Sequence, residues 1–446
     1  MNIKRYVLLY IGLLNIYIFA QDQDLIKQIR VTDHRIDIVV NSEFKKAYLR
    51  DDFFAEYNND INLKGLDESL LIMPFIMQVI SLVWISGKYY YIDSMDYLLY
   101  KSLKVVKEVF EHLYPNTQWC GELIPKKLVN NADMFVMHKK NNESIALMFS
   151  GGLDSTCMSL RRLEKKQLLV TARGHSDMPL DDDQQWNAVY KRIEDFAQLY
   201  GHEVSVVRSN YRNFLRRGYL HKLSPDITCW RLDAVEGLGW IGLAVPILLS
   251  KGYNTLLIAS SLTWDCPYQH APMPLIDDNV FCAGLTFQHA DFDLQRVQKA
   301  EFITALCNAY SIQKPFIRAC QKDKVGNNCG KCEKCIRTAS CFIAVGAYPN
   351  EYGFDVTSKR LQKYLFSLIK RGELQLSRFN FWHYLCIQKY MQKNIDIVPH
   401  ELRMYAKDFL LIDFQIYNKD AGNCFIPINW PDFTHLYSAI PQYLLT

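Results

Sequence analysis

The chain has 446 residues, 49% hydrophobic and 22% charged, which is enough apolar material for two or three cores of ordinary size and too much for a disordered protein. Lysine and arginine number 51 against 47 acidic residues, so the chain as a whole has no electrostatic case for a nucleic-acid partner. The 13 cysteines are odd in number, with four crowded into residues 320–335 and the rest in core-like segments, which points to metal ligands and buried thiols instead of a disulfide framework.

The chain opens on MNIKRYVLLYIGLLNIYIFAQDQD, whose basic Lys4 and Arg5, apolar run and Ala20 have the outline of a secretory signal. Ile18 stands where such a signal carries a small residue, and Asn15 interrupts a run too short to span a bilayer; an early start codon or a buried first strand reads the segment equally well. The alternation of RIDIVV predicts a strand, and LLIMPFIMQVISLVWIS and DYLLYKSLKVVKEVFEHLY predict helices. The first of these helices contains Pro74 and is bounded by polar residues, so a buried helix is expected and no membrane partner. The basic run RNFLRRGYLHK reads either as a nucleic-acid patch or as a solvated face.

From about residue 143 the pattern becomes regular. The apolar runs SIALMF, QLLVTA, EVSVVRS and NTLLIASS alternate with amphipathic stretches. In DDDQQWNAVYKRIEDFAQLYG, Trp186, Val189, Ile193, Phe196 and Leu199 fall on one helix face, with Asp181 to Asp183 in the first turn, where carboxylates suit the helix dipole. Such alternation predicts βαβ units, hence an α/β fold with a parallel sheet of the five-stranded type and helices on both faces over 143–349. An α+β domain over 1–142 is expected before it, and a helical appendage over 350–446, containing SKRLQKYLFSLIKRG, after it. Ligands in such sheets bind at the carboxyl ends of the strands.

The first of these strands runs into Ser150-Gly151-Gly152-Leu153-Asp154-Ser155-Thr156. Glycines in a strand-to-helix turn permit close approach, and the helix-start amides with the hydroxyls of Ser150, Ser155 and Thr156 would turn donors towards one place: an anion site sized for phosphates. A glycine turn with Ser and Asp caps is the plainer alternative. No GxxxxGK[ST] is present, so this is not the usual P-loop. The second signal is Cys320, Cys329, Cys332 and Cys335, two overlapping Cys-x-x-Cys pairs with a fourth thiol upstream, able to close a tetrahedron around a structural zinc with Gly326 and Gly330 supplying turns. Spacing alone leaves an iron–sulfur cluster, or plain buried cysteines, open.

The SGGLDS turn resembles the SGGxDS fingerprint of the PP-loop ATP pyrophosphatases, of the adenine nucleotide alpha hydrolase-like fold. With the cysteine knuckle it looks like the 7-cyano-7-deazaguanine synthases of queuosine biosynthesis and their relatives in bacterial antiviral defence clusters. The likeness covers residues 143 to about 345, and the flanks have no counterpart in the compact enzymes. It implies ATP with Mg2+, with Ser150, Gly151, Gly152, Asp154 and Ser155 cradling pyrophosphate, Asp154 near the metal, and catalytic roles for Ser150, Asp154 and Ser155. Leu153 and Thr156 belong to the same turn. The adenine loop would be TARGHSD, with Arg173 and Gly174, although His175 reads equally as a solvent-facing histidine.

The implied chemistry is ligation: a carboxylate such as 7-carboxy-7-deazaguanine is adenylated, then ammonia or an amine, including one on a protein substrate, displaces AMP to give an amide that a second ATP can dehydrate to the nitrile. Where those enzymes carry their base-binding segment this chain reads SSLTWDCPYQHAPMP, so Ser260, Ser261, Trp264, Asp265 and His270 are the candidate substrate residues and the deazapurine is in doubt. Trp264 is either a stacking surface or packing. Two other readings stand: a tRNA-thiolating PP-loop enzyme, which needs a reactive thiol and a basic face, and a non-catalytic nucleotide-binding scaffold. ATP and reduced thiolates favour a cytoplasmic location over export.

Overall fold

A computed structural model describes residues 23–132, 144–175, 178–224, 226–227, 229–230, 234–266, 272–323, 325–372, 374 and 376–418. The signal-like segment therefore lies outside the described residues. Among those described, the strands in chain order are β1 Ile26–Val31, β2 Arg35–Val40, β3 Phe53–Tyr57, β4 Tyr89–Asp96, β5 Glu122–Val129, β6 Ser144–Met148, β7 Lys166–Arg173, β8 Glu203–Ser209, β9 Thr255–Ala259, β10 Phe281–Cys282 and β11 Leu285–Ala290. The helices used below are α1 Met73–Ile85, α2 Tyr97–Leu113, α3 Leu153–Leu160, α4 Asp183–Tyr200, α5 Glu236–Lys251, α6 Arg296–Ala309, α7 Glu333–Ala344, α8 Ser358–Lys370, α9 Arg378–Lys393 and α10 Arg403–Leu410.

Two compact units result. One takes the described residues of 1–138, 207–252 and 279–285, the other those of 139–206, 253–278 and 286–446. The division does not follow three successive stretches of chain, because strands join neighbours far away in sequence.

In the first unit β1, β2 and β3 pair antiparallel, and β3 pairs antiparallel with Val207–Ser209 of β8. Ile36, Ile38 and Val40 alternate inward, as the period of RIDIVV requires. β4 and β5 form a separate parallel pair. Helix α1 is buried from Met73 to Trp84, so its apolar length is explained by protein on all sides. It lies against α5 at close range: a Cβ at Gly239 would stand 2.4 Å from the Gln78 amide oxygen, and one at Gly242 2.6 Å from the Met73 carbonyl.

In the second unit β7, β6, β9 and β11 lie side by side, and β6–β7, β6–β9 and β9–β11 are parallel. Leu147 lies opposite Leu169 and Leu257. These near-continuous apolar strands are the kind that parallel sheets bury on both faces. With β1, β2, β3 and β8 paired antiparallel and β7, β6, β9 and β11 parallel, the class is α/β with mixed pairing, not a purely parallel sheet. Trp186, Val189, Ile193 and Phe196 of α4 are buried as the periodicity predicts, whereas Leu199, the penultimate residue of the helix, is 42% exposed. Asp182 caps α4 by accepting from the Gln185 amide, so of the aspartate run only Asp183 lies in the first turn.

The residues after 350 do form helices, and Leu361, Leu365, Tyr384, Tyr405 and Phe409 share one core with Leu147, Cys157 and Phe342. That segment completes the second unit instead of hanging from it. Among the described residues no helix is long and apolar enough to cross a membrane.

Candidate functional site

β6 ends at Met148 and α3 begins at Leu153, so the SGG turn lies at the carboxyl edge of a central strand of the second unit. Gly151 has φ +71°, in the region where a side chain is strained, and Gly152 is the N-cap of α3 with no side-chain capping bond. The first amides of α3 therefore have no capping side chain. The Ser155 hydroxyl accepts from the Ser150 amide at 3.3 Å, lies 3.4 Å from the Ser150 hydroxyl and donates to the Gly152 carbonyl. Thr156 does not join them. It is wholly buried with its hydroxyl unpartnered among the described residues, because one residue along a helix turns the side chain by about 100°, here into the core. Leu153 is buried as well, so it supports the turn and its side chain does not face a ligand.

Asp154, in the first turn of α3, is the centre of a charged cluster. One of its oxygens accepts from the Arg296 guanidinium and from the Ser261 hydroxyl at 3.1 Å, and the other lies 3.4 Å from the Lys299 ammonium. Lys299 also donates to the Ser260 carbonyl. Arg296 and Lys299 stand three residues apart at the start of α6, hence on one face, while Ser260 and Ser261 follow β9. The Asp154 side chain is only 15% exposed and Lys299 not at all. Burial alone, the largest single effect, would raise the Asp154 carboxyl; Arg296, Lys299 and the Ser261 hydrogen bond together outweigh it and hold the group below the usual carboxylate range. Arg318 adds a further cation: its amide donates to the Gly151 carbonyl at 2.8 Å and its Nε to the Ser150 carbonyl at 3.3 Å.

Two buried cations on Asp154, beside the amides of a helix start and with Arg318 bonded to the turn, are a donor set that fits a polyphosphate. Asp154 is the carboxylate at the turn to which a divalent cation could bind, and both of its oxygens are already engaged by Arg296, Ser261 and Lys299. The motif thus led to Asp154, Ser150 and Ser155, and missed Arg296, Lys299 and Arg318. The spacing of two cations in QRVQKAEF after the strand LTFQHA was the available signal, weak because an i,i+3 pair of cations is common on solvated helix faces.

The structure brings Ser260 and Ser261 to Asp154, Ser260 through its carbonyl and Ser261 through its hydroxyl. Trp264 is 61% exposed, more than a packing role needs. The Asp265 carboxylate accepts from the Thr263 hydroxyl and from Gln295 at 3.2 Å, which ties the loop to the start of α6. His270 lies outside the described residues. Arg173, placed by sequence in the adenine loop, is nearly buried: it pairs with Asp183, donates to the Leu180 carbonyl at 3.1 Å and lies over the Trp186 ring. Its charge holds the loop in shape. Gly174 adopts φ +132° and its amide donates to the Met178 carbonyl.

The four cysteine sulfurs of residues 320, 329, 332 and 335 lie within 4.8 Å of one another, with Cys320–Cys332 and Cys329–Cys335 both at 3.9 Å. Sulfurs at Zn–S bond length on a tetrahedron stand about 3.8 Å apart, so the set fits a metal such as zinc. Gly326 and Gly330 take φ +74° and +67° to close the knuckle. Asn328 accepts from the amides of Ala319 and Cys320 and donates to the Ile317 and Gly353 carbonyls. Arg318, two residues before Cys320, thereby links the knuckle to the SGG turn. Cys157 is buried on α3, and burial pushes its thiol up to about 12. No protein-family model matches the chain, and no curated protein matches it either.

Proposed function

We propose that the chain is an ATP-dependent adenylating ligase. The observation that carries this reading is the SGG turn at a strand's carboxyl edge, with Arg318 bonded to the turn and Arg296 and Lys299 on Asp154 at the start of the following helix. In such a site the cations and helix-start amides hold the β and γ phosphates and steady the charge that builds on departing pyrophosphate, while ATP and Mg2+ supply the activated phosphorus. A substrate carboxylate oxygen attacks the α phosphorus and pyrophosphate leaves; the nitrogen of ammonia or of an amine then attacks the acyl carbon, AMP leaves, and the nitrogen gives up a proton.

Trp264, exposed three residues after Ser261 of this cluster, is an aromatic side chain that would suit an acid built on a planar ring, such as a deazapurine. Against tRNA thiolation stands Cys157, whose buried thiol with its raised proton affinity is a poor nucleophile. The test is ATP–pyrophosphate exchange with 7-carboxy-7-deazaguanine and a panel of aromatic acids. Acid-dependent exchange with AMP formation supports the reading; ATP binding without exchange for every acid leaves a nucleotide-binding scaffold in its place.

A further inference from the structure

The Asp154 cluster has one feature that the ligase reading does not require. Arg296 is more than nine-tenths buried, yet among the described residues its Nε has no acceptor and its one hydrogen-bond partner is an Asp154 oxygen. Its planar fork is built to take two oxygens of one oxyanion side by side, so donors are left over in a place where burial makes them costly. The residue near it on α7, Cys341, is a buried thiol pushed up to about 12 by desolvation, hence neutral and no substitute for an anion. Asp154 is over-subscribed in turn: Arg296 and Ser261 share one oxygen and Lys299 reaches the other. A divalent cation needs a carboxylate oxygen directly, and here it would join two buried cations.

We infer that Arg296 is an exchangeable counter-ion. In the nucleotide-free chain it occupies the Asp154 oxygen that a divalent cation needs; when the polyphosphate arrives, the guanidinium turns to the phosphate oxygens and releases Asp154 to the metal. The cation then binds only together with nucleotide, which keeps an unproductive metal-only state from filling the site. The inference rests on the nucleotide reading of the turn for its second half, while the competition between Arg296 and a cation for Asp154 stands without it.

The test uses the full zinc-loaded chain and Mn2+ as the probe, with bound metal read by electron paramagnetic resonance. Wild-type chain is expected to bind Mn2+ at least about tenfold more tightly with α,β-methylene-ATP than alone. R296Q should bind Mn2+ alone about tenfold or more tightly than wild type, since a neutral amide no longer competes. R296K, which keeps the charge, should remain as weak as wild type, and D154N should abolish the binding in either background. An R296Q affinity for Mn2+ alone within about twofold of wild type overturns the inference. So does wild-type binding of Mn2+ that is as tight without the analogue as with it. Should R296Q lose its fold, this wild-type comparison decides alone. Failure of the analogue to bind at all removes the proposed function and the second half of the inference, while R296Q with Mn2+ alone still decides the first.

Discussion

Removing the two partners of the central ion cluster one at a time should have unequal effects. Lys299→Met deletes a fully buried ammonium that donates to the Ser260 carbonyl and lies 3.4 Å from Asp154. The Ser260 carbonyl is left without this donor, a loss of about 1–3 kcal/mol. Asp154 keeps Arg296 and Ser261, so no stranded charge is added, and the desolvation cost of the ammonium disappears. The net expectation is a destabilisation of about 1–2 kcal/mol. Asp154→Ala is different, because it strips the counter-charge from Arg296 and Lys299 together and leaves two buried cations facing each other. Breaking a buried pair from that side costs about 3–5 kcal/mol. Urea unfolding of both variants reads the difference, and pyrophosphate at millimolar concentration should restore much of the loss in Asp154→Ala by replacing the missing negative charge. Equal losses in the two variants, or no recovery with pyrophosphate, would refute the reasoning that Asp154 is the charge on which the cluster depends.

Further outcomes follow from the turn, the knuckle and one histidine. Gly151→Ala has room for its Cβ, 3.9 Å from that of Arg318, so its effect should be conformational alone, about 1–2 kcal/mol of stability in a denaturant series; a neutral result would mean that φ +71° is not needed. Metal analysis should return one zinc per chain, and stripping it should weaken nucleotide binding as well as stability, because Arg318 is held between Cys320 and the SGG turn. Binding of nucleotide unchanged in stripped protein would break that link. His202 has both ring nitrogens buried without partners among the described residues, and burial lowers its pKa to about 4. The folded state thus refuses a proton that the unfolded chain takes up below about pH 6.5, so stability is full above that value and falls from there towards pH 4. His202→Phe should flatten this part of the pH–stability curve, and an unchanged curve would assign it elsewhere.

How much of this was legible in the amino-acid order depends on the range over which each feature is determined. SIALMF, QLLVTA, EVSVVRS and NTLLIASS became β6, β7, β8 and β9, and the helix of DDDQQWNAVYKRIEDFAQLYG became α4, because apolar period and caps act within a few residues. The gathering of Cys320, Cys329, Cys332 and Cys335 was equally readable, since a knuckle of short spacing needs only local turns to converge. What the sequence could not determine were the partners of the turn. Arg296, Lys299 and Arg318 come from segments more than a hundred residues downstream of Asp154, and only the docking of α6 brings the first two to Asp154, and that of the irregular run before Cys320 brings the third to the SGG turn. Thr156, which looked like a donor, was turned into the core by the helix that follows, and Arg173 was taken up by Asp183. The division into units was likewise tertiary, because residues 207–252 join the amino-terminal strands while the last helices complete the other core. Local chemistry named the turn and the knuckle; which charges surround the turn was settled by packing, since burial and pairing of ions depend on distances that no sequence spacing specifies.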